Sequence, residues 1–239
     1  MATLMRYDDY KCGAALIGDK YVLTAAHCMM GDKAPLKNFK IHLHRQDLSL
    51  DPTEEDAFVY TISEKIIHPV AILVLNTTKP VTIPPIPLDK YMYHEAGQLT
   101  KLTGWGPKTP TTGPVSILNE VDLPIVSNKV CIENYENSEY HYTVDTNQRI
   151  CAGYPEGGKD ACGGDSGSPL VLFNSYDTDE PPTLVGIVTN GSGVCGAPNM
   201  PGLYMRVAYY RKWILSIINP PRRSHNKLSF DKFGLKINL

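Results

Sequence analysis

Two short segments of the sequence carry the residue types that nucleophilic catalysis requires. Residues 24–28 read TAAHC and contain His27, whereas residues 160–169 read DACGGDSGSP and contain Ser166. A Ser within Gly-Gly-Asp-Ser-Gly predicts a tight turn, because glycine permits backbone conformations that other residues resist. Such a turn can direct backbone N–H groups at one point, as an oxyanion hole requires. Since His is the usual base for a Ser nucleophile near neutral pH, the two segments predict nucleophilic catalysis by Ser166.

Each segment taken alone has an ordinary structural interpretation. An isolated His after a strand is usually a packed or surface residue, and an isolated Gly-Asp-Ser-Gly is usually only a turn. Here the two segments occur in the order His and then Ser, and each contains a cysteine. This combination favours the catalytic interpretation.

Short apolar runs separated by turn residues must position these segments. Residues 39–45 and 58–63 alternate between side-chain types, as half-buried strands do. Similar runs recur at intervals of about 10–25 residues, which predicts an all-β sandwich or barrel. One helix is predicted at residues 207–218, and the two prolines at 220–221 end it. Its apolar face repeats at i, i+3, i+4, i+7 and i+8 and consists of Tyr210, Trp213, Ile214, Ile217 and Ile218.

The composition excludes several classes of protein. Hydrophobic residues make up 42% of the 239 residues and charged residues 20%, so the chain is not disordered throughout. The net charge of −2 shows no basic excess, and nucleic acid is not an expected partner. The longest clean apolar run is residues 70–75, far short of the roughly 20 residues of a membrane helix. The acidic stretch at residues 51–56 is predicted to be a solvated loop rather than a calcium site.

Six cysteines predict disulfide bonds. An even number of cysteines without a C-x-x-C spacing disfavours a zinc ribbon or a thioredoxin-like redox motif. Three disulfides in an oxidising compartment are therefore expected, although six cysteines allow about 15 pairings. The first residues lack the pattern of a signal peptide, so either the amino terminus is incomplete or export is unconventional. The cysteines are Cys12, Cys28, Cys131, Cys151, Cys162 and Cys195.

The motifs together resemble the chymotrypsin/trypsin family of serine proteases, especially its insect digestive and clip-domain members. The resemblance extends from residue 1 to about residue 218 and includes LTAAHC, TGWG, ICAG, DACGGDSGSPL and PGLYMRV. It implies two packed antiparallel six-stranded β-barrels with the active site between them, and a C-terminal helix. We expect the first barrel at residues 1–90, shortened at its amino terminus, and the second barrel with the helix at residues 91–218. Residues 219–239 are predicted to be a flexible tail with five basic side chains and one acidic one.

The resemblance also implies roles for the residues of both motifs. His27 matches the general base, Ser166 the nucleophile, and the N–H groups of Gly164 and Ser166 the oxyanion hole. No metal and no other cofactor is expected, because the side chains supply the chemistry. The implied disulfides are Cys12–Cys28, Cys131–Cys151 and Cys162–Cys195.

Substrate preference follows from the same resemblance. Asp160 matches the floor of the primary specificity pocket, where a buried carboxylate selects Arg or Lys because a buried charge must be paired. Gly191 and Gly202 match the pocket walls, which lack side chains and leave room for a long cation. The expected partners are protein or peptide substrates with Arg or Lys at the cleaved bond, together with protein inhibitors. The expected location is extracellular.

The chain departs from the family at the third member of the catalytic triad. Pro69 occupies the position of the expected Asp, because the loop that normally precedes the strand at residues 70–75 is missing. Residues 66–86 contain no carboxylate, and Glu64 is the nearest. Without a partner, His27 is not held in the productive tautomer and its imidazolium is not stabilised. For this family, replacing the Asp by an amide lowers turnover roughly 10⁴-fold, or about 5–6 kcal/mol of barrier.

A second departure concerns Asp165. In family zymogens, cleavage releases an amino terminus that pairs with the Asp before the nucleophile, and this chain begins about 15 residues after that point. The sequence as written is therefore expected to resemble a zymogen. Two hypotheses remain: a trypsin-like endopeptidase, written here as an incomplete or alternatively spliced product, and a non-catalytic protease homologue that acts as a binding or regulatory module.

Overall fold

Twelve strands form two closed antiparallel barrels in the computed structural model, which describes residues 1–31, 33–109, 112–139, 141–173, 180–190 and 194–220. The first barrel has the strand order β1-β2-β3-β6-β5-β4. Its strands are β1 (Ala2–Arg6), β2 (Asp9–Gly18), β3 (Tyr21–Ala25), β4 (Phe39–Leu43), β5 (Phe58–Ile67) and β6 (Val70–Leu75). The apolar run at residues 70–75 is the strand that lies between β3 and β5, and all six of its side chains are buried.

The second barrel has the strand order β10-β11-β12-β9-β8-β7. Its strands are β7 (Leu99–Gly104), β8 (Asn119–Val126), β9 (Arg149–Ala152), β10 (Pro169–Leu172), β11 (Thr183–Asn190) and β12 (Gly202–Arg206). The predicted all-β fold of two six-stranded barrels is therefore confirmed. The boundary drawn between residues 90 and 91 lies in the segment that joins β6 to β7.

Helical structure is short and lies at the ends of strands or between them. Helix α1 (Asn128–Glu136) follows β8, and helix α2 (Val207–Ile218) follows β12 directly. Three 3₁₀ helices occupy Ala26–Cys28, Leu36–Asn38 and Pro52–Glu55. None of the helices within the described ranges is long and apolar enough to cross a membrane.

Helix α2 confirms the predicted C-terminal helix. Val207, Tyr210 and Ile214 are buried in a cluster formed by residues of both barrels, whereas Trp213 is only partly buried and stacks on His68 of the first barrel. The helix thereby joins the end of the second barrel to the first. The predicted basic tail lies almost entirely outside the described residues, which end at residue 220.

Strand β4 is buried on both faces, which the alternating pattern did not predict. Ile41 and Leu43 point into the barrel core, and His42, between them, is only 5% exposed. His42 lies opposite Thr3 of β1, which is also completely buried. Burial lowers the pKa of His42 to about 4, so the imidazole is neutral in the folded chain at pH 7.

The three disulfides implied by the resemblance are present. They join Cys12 to Cys28, Cys131 to Cys151, and Cys162 to Cys195. All six cysteines are used, and none is free. The first bond lies within the first barrel and the other two lie within the second.

Candidate active site

His27 lies on a single 3₁₀ turn immediately after β3. The turn comprises Ala26–Cys28, and its flanking residues are buried while the His27 side chain is exposed. Cys28 is bonded to Cys12 of β2, which fixes the turn to the neighbouring strand. The segment that the sequence singled out therefore presents its one titratable side chain at the barrel surface.

Ser166 lies on the tight turn that its glycine-rich surroundings predict. The N–H of Asp165 donates to the carbonyl of Cys162 at 2.9 Å, and the N–H of Ser168 donates to the carbonyl of Asp165 at 2.9 Å. The turn is joined to β11 through the N–H of Gly167, which donates to the carbonyl of Val188 at 2.8 Å. Ser166 is half-buried at the top of this turn.

Strand β2 brings the two segments together. The N–H of Gly13 donates to the Ser166 carbonyl at 2.8 Å, and the Gly13 carbonyl accepts from the Thr24 hydroxyl at 2.8 Å. Gly167 has a φ of +82°, and a Cβ there would lie 2.2 Å from both the Gly13 carbonyl oxygen and the Thr24 hydroxyl. Only glycine therefore allows the Ser166 turn to approach the strand that leads to His27.

The backbone around Ser166 leaves two N–H groups available. Gly164 has a φ of +111°, a conformation that favours glycine. Among the residues that the structure describes, the N–H groups of Gly164 and Ser166 donate to no protein acceptor. Two unpaired N–H groups beside a serine are the donor set that a developing oxyanion requires.

No carboxylate acts on His27 in the described part of the chain. The His27 side chain is exposed to solvent at its surface, but the protein beside it removes part of its hydration, and this desolvation lowers its pKa; the positive charge of Lys11 lowers it further. Within the described ranges neither ring nitrogen of His27 makes a hydrogen bond, so its contact with Ser166 is not preformed. An imidazole in this environment is a neutral base with no group that fixes its tautomer.

The register of the first barrel explains why no carboxylate reaches His27. Pro69 lies in the tight connection between β5 and β6, beside Val70, which pairs with Ala25 just before the His27 turn. Glu64 pairs with Val74, four residues further along β6. At about 3.3 Å per residue, Glu64 lies about 13 Å along the sheet from the end that carries His27.

Asp160 lines a cavity of about 240 Å³. Its carboxylate accepts from the N–H groups of Ala161 at 2.7 Å and Gly196 at 3.1 Å. Burial raises its pKa to about 6, so the carboxylate is mostly ionised at pH 7 and its charge is only partly compensated. A Cβ at Gly202 would lie 2.6 Å from an oxygen of Asp160, so a side chain at this position would crowd the carboxylate. Gly191 lies outside the described residues.

Asp165 also lines this cavity. Its carboxylate accepts from the N–H groups of Gly106 at 2.8 Å and Cys162 at 2.9 Å. Burial raises the pKa of Asp165. The cavity is therefore lined by two buried or partly buried carboxylates, Asp160 and Asp165, and also by Lys108, Glu120 and Lys159.

The acidic stretch at residues 51–56 has a structural role. Glu55 pairs with the Nε of Arg45 at 2.6 Å and accepts from the N–H groups of Gln46 and Asp47. Asp51 caps the 3₁₀ helix through the N–H of Thr53. No cluster of three metal-binding side chains occurs in the described part of the chain. The loop is therefore held by an internal ion pair.

Two residues of the site were not found from the sequence. Gly13 and Tyr10 of β2 contact the carbonyls of Ser166 and Gly164, which lie more than 150 residues away along the chain. No local motif marks either residue. The only sequence signal is weak: a glycine within a strand, here Gly13 directly after Cys12, often marks a place where another backbone approaches closely.

Comparison with known proteins supports the same family as the motifs. The family model described as Trypsin matches residues 1–214. The chain is 35% identical over 219 residues to serine protease filzig of Drosophila melanogaster, covering 87% of this chain and 12% of that protein. It is 31% identical to clotting factor G beta subunit of Tachypleus tridentatus, with 87% and 71% covered, and 32% identical to Trypsin-1 of Astacus astacus, with 89% and 90% covered.

Proposed function

The chain belongs to the trypsin family of serine proteases, and from this premise we propose that it hydrolyses peptide bonds after Arg or Lys through an acyl-enzyme on Ser166. The observation that carries the proposal is the partly buried carboxylate of Asp160, which lines a cavity. Asp160 comes six residues before Ser166 in the chain. The proposal requires that a long cationic side chain paired with Asp160 places its own backbone carbonyl beside Ser166.

The charge of Asp160 supports a cationic substrate side chain. Its carboxylate accepts two backbone N–H groups but has no positively charged side chain within hydrogen-bond distance in the described ranges. Burial of an uncompensated charge is unfavourable, and a guanidinium or ammonium group that enters the cavity relieves this cost. An apolar side chain would leave the charge unpaired, so the cavity discriminates against it.

The reaction follows from the groups around Ser166. The Oγ of Ser166 attacks the substrate carbonyl carbon while His27 accepts the hydroxyl proton. The N–H groups of Gly164 and Ser166 donate to the oxyanion that forms. Collapse of this intermediate breaks the C–N bond, and the leaving amine takes the proton from His27. Water, activated by His27, then hydrolyses the ester and restores the free serine.

The absence of a carboxylate beside His27 in the described residues lowers the expected rate. In this family, replacing the triad Asp by an amide lowers turnover roughly 10⁴-fold, and we expect a reduction of the same order here. The same observation supports a second candidate function, in which the chain binds cationic segments of proteins without cleaving them. Both candidates use the Asp160 cavity, and they differ only in whether Ser166 reacts.

The proposed partners are proteins and peptides with accessible Arg or Lys, including protein inhibitors that present such a residue. An extracellular location is proposed, because three disulfides require an oxidising compartment. The chain spans 12% of the length of filzig, so the substrates and partners of that protein are not carried over.

Active-site titration tests the proposal. The purified chain is mixed with an arginyl ester that leaves a stable acyl group on serine, and Ser166→Ala serves as the control. Binding of p-aminobenzamidine, a fluorescent cation that needs only the cavity, is measured in parallel. We expect binding in both chains and a slow stoichiometric burst only with Ser166.

Each other outcome has a distinct meaning. A folded chain that binds p-aminobenzamidine without a burst supports the binding module and contradicts the enzyme. A folded chain that does not bind p-aminobenzamidine contradicts the Arg or Lys preference in both candidates.

A further inference from the structure

Tyr10 connects the first barrel to the backbone of the proposed oxyanion hole. Its hydroxyl donates to the carbonyl of Gly164 at 2.9 Å, although the two residues are 154 positions apart in the chain. Tyr10 lies in β2, two residues before Cys12, whose partner Cys28 follows His27. One strand of the first barrel therefore contacts the nucleophile turn and holds the turn that carries the base.

The Tyr10 hydroxyl is held in a fixed position as a donor. Its ring packs against Trp105 with the ring centres 5.8 Å apart and the planes tilted by 56°. Trp105 is itself buried and donates its indole N–H to the carbonyl of Gln46 at 3.3 Å. Burial raises the pKa of Tyr10, and the nearby charge of Asp165 raises it further, so the hydroxyl keeps its proton.

The hydrogen bond acts on a peptide unit that is fixed at both ends. The carbonyl of Gly164 accepts from Tyr10, and the N–H of the same peptide, on Asp165, donates to the carbonyl of Cys162 at 2.9 Å. Gly164 has no side chain and a φ of +111°, so neighbouring contacts rather than its own side chain must fix its torsion angles. Holding the 164–165 peptide limits rotation at Gly164 and thereby the direction of its N–H.

We propose that Tyr10 is a positioning residue, which holds the Gly164 N–H toward the substrate carbonyl. The inference deepens the proposed function and rests on the role given there to Gly164. It makes the oxyanion hole depend on packing between the barrels. Loss of the Tyr10 hydroxyl should loosen the hole while leaving the Asp160 cavity intact.

The variant Tyr10→Phe tests this inference, since it keeps the ring and its packing on Trp105. Tyr210→Phe is the matched control, because it also removes a tyrosine hydroxyl bond, to the side chain of Gln148 at 2.7 Å. Tyr210 lies on helix α2 and makes no hydrogen bond to the nucleophile turn within the described residues.

The first measurement is independent of activity. Labelling glycine with ¹³C at the carbonyl and ¹⁵N at the amide selects two Gly-Gly peptides of the chain, at 157–158 and 163–164. We expect the Gly164 amide signal to shift or broaden in Tyr10→Phe, with the Gly158 signal as an internal reference. Both signals should stay in place in Tyr210→Phe. An unmoved Gly164 signal in Tyr10→Phe overturns the inference, whether or not the chain is an active enzyme.

The second measurement separates the oxyanion hole from the cavity. A peptide arginal forms a tetrahedral adduct with an oxyanion on Ser166, whereas p-aminobenzamidine occupies only the cavity. We expect arginal affinity to fall about tenfold in Tyr10→Phe, the value of one neutral hydrogen bond, with p-aminobenzamidine affinity unchanged. Equal arginal affinity in Tyr10→Phe and wild type overturns the positioning role. If wild type binds p-aminobenzamidine but no arginal, the proposed acyl-enzyme fails, and the amide signal alone decides about Tyr10.

Discussion

Replacing Asp160 by Asn tests the electrostatic argument about the specificity cavity. Burial raises the pKa of Asp160 from 3.8 to about 6, because the folded chain disfavours its charged form. A rise of this size corresponds to about 3 kcal/mol, at about 1.36 kcal/mol for each pH unit. Because the carboxylate is not completely buried, this is an upper limit. We expect Asp160→Asn to raise the free energy of unfolding at pH 7 by up to about 3 kcal/mol.

The direction of the pH dependence is fixed by proton binding. Between pH 3.8 and about 6 the unfolded chain has released the Asp160 proton, whereas the folded chain retains it. The folded state therefore binds more protons, and the stability of wild type falls as pH rises through this window. Asp160→Asn lacks this titration. The stability difference between variant and wild type should rise with pH from about 4 and level off above about 7.

Urea unfolding at several pH values, followed by intrinsic fluorescence, measures this difference. The Asn oxygen can accept only one of the two N–H groups that Asp160 accepts, from Ala161 and Gly196, which adds an offset that does not depend on pH. The slope with pH is therefore the test. A difference that stays flat from about pH 4 to about pH 8 would refute the argument that burial raises this pKa. The same variant should lose p-aminobenzamidine binding, because the cavity then lacks its charge.

Three further predictions concern the cavity and the two barrels. Gly202→Ala should weaken p-aminobenzamidine at least about tenfold in a fluorescence titration, because its Cβ would lie 2.6 Å from an oxygen of Asp160. In urea unfolding, wild type should lose up to about 3 kcal/mol of stability as the pH falls from 6.5 through about 4, because the unfolded chain protonates His42 at a higher pH than the folded chain does. His42→Phe should not show this loss. Arg45→Met should lower the free energy of unfolding by about 3 kcal/mol, because it leaves Glu55 without its cation in a largely buried pair.

Each of these variants has a control in the same chain. Gly113→Ala has nothing within 4 Å of the added Cβ and should leave p-aminobenzamidine binding unchanged. His44→Asn, which replaces an exposed histidine two residues after His42, is the control for the removal of a histidine as such. Glu55→Gln, which keeps the acceptor for two backbone N–H groups, should cost less than Arg45→Met. If a control behaves like its test variant, the stated physical reason is wrong.

The strands and the C-terminal helix were accessible from the sequence because their signals are local. The alternation in residues 39–45 and 58–63, the apolar run at 70–75 and the turn residues between them define strands. The end of α2 at residue 218 follows from the prolines that come after it. The two barrels and the pairing of the cysteines came from the resemblance, since periodicity alone left a sandwich or a barrel and about 15 pairings open.

The sequence by itself singled out His27 and Ser166 as the candidate catalytic side chains, since their motifs are contiguous, and the resemblance added Asp160 as the candidate specificity residue. Only the tertiary structure decided how the motifs are held together, because those contacts join residues far apart in the chain. Tyr10 bonds to Gly164 across 154 positions, and no local pattern records this contact. Likewise, barrel register places Glu64 away from His27 by fixing its cross-strand partner, which one strand alone cannot specify.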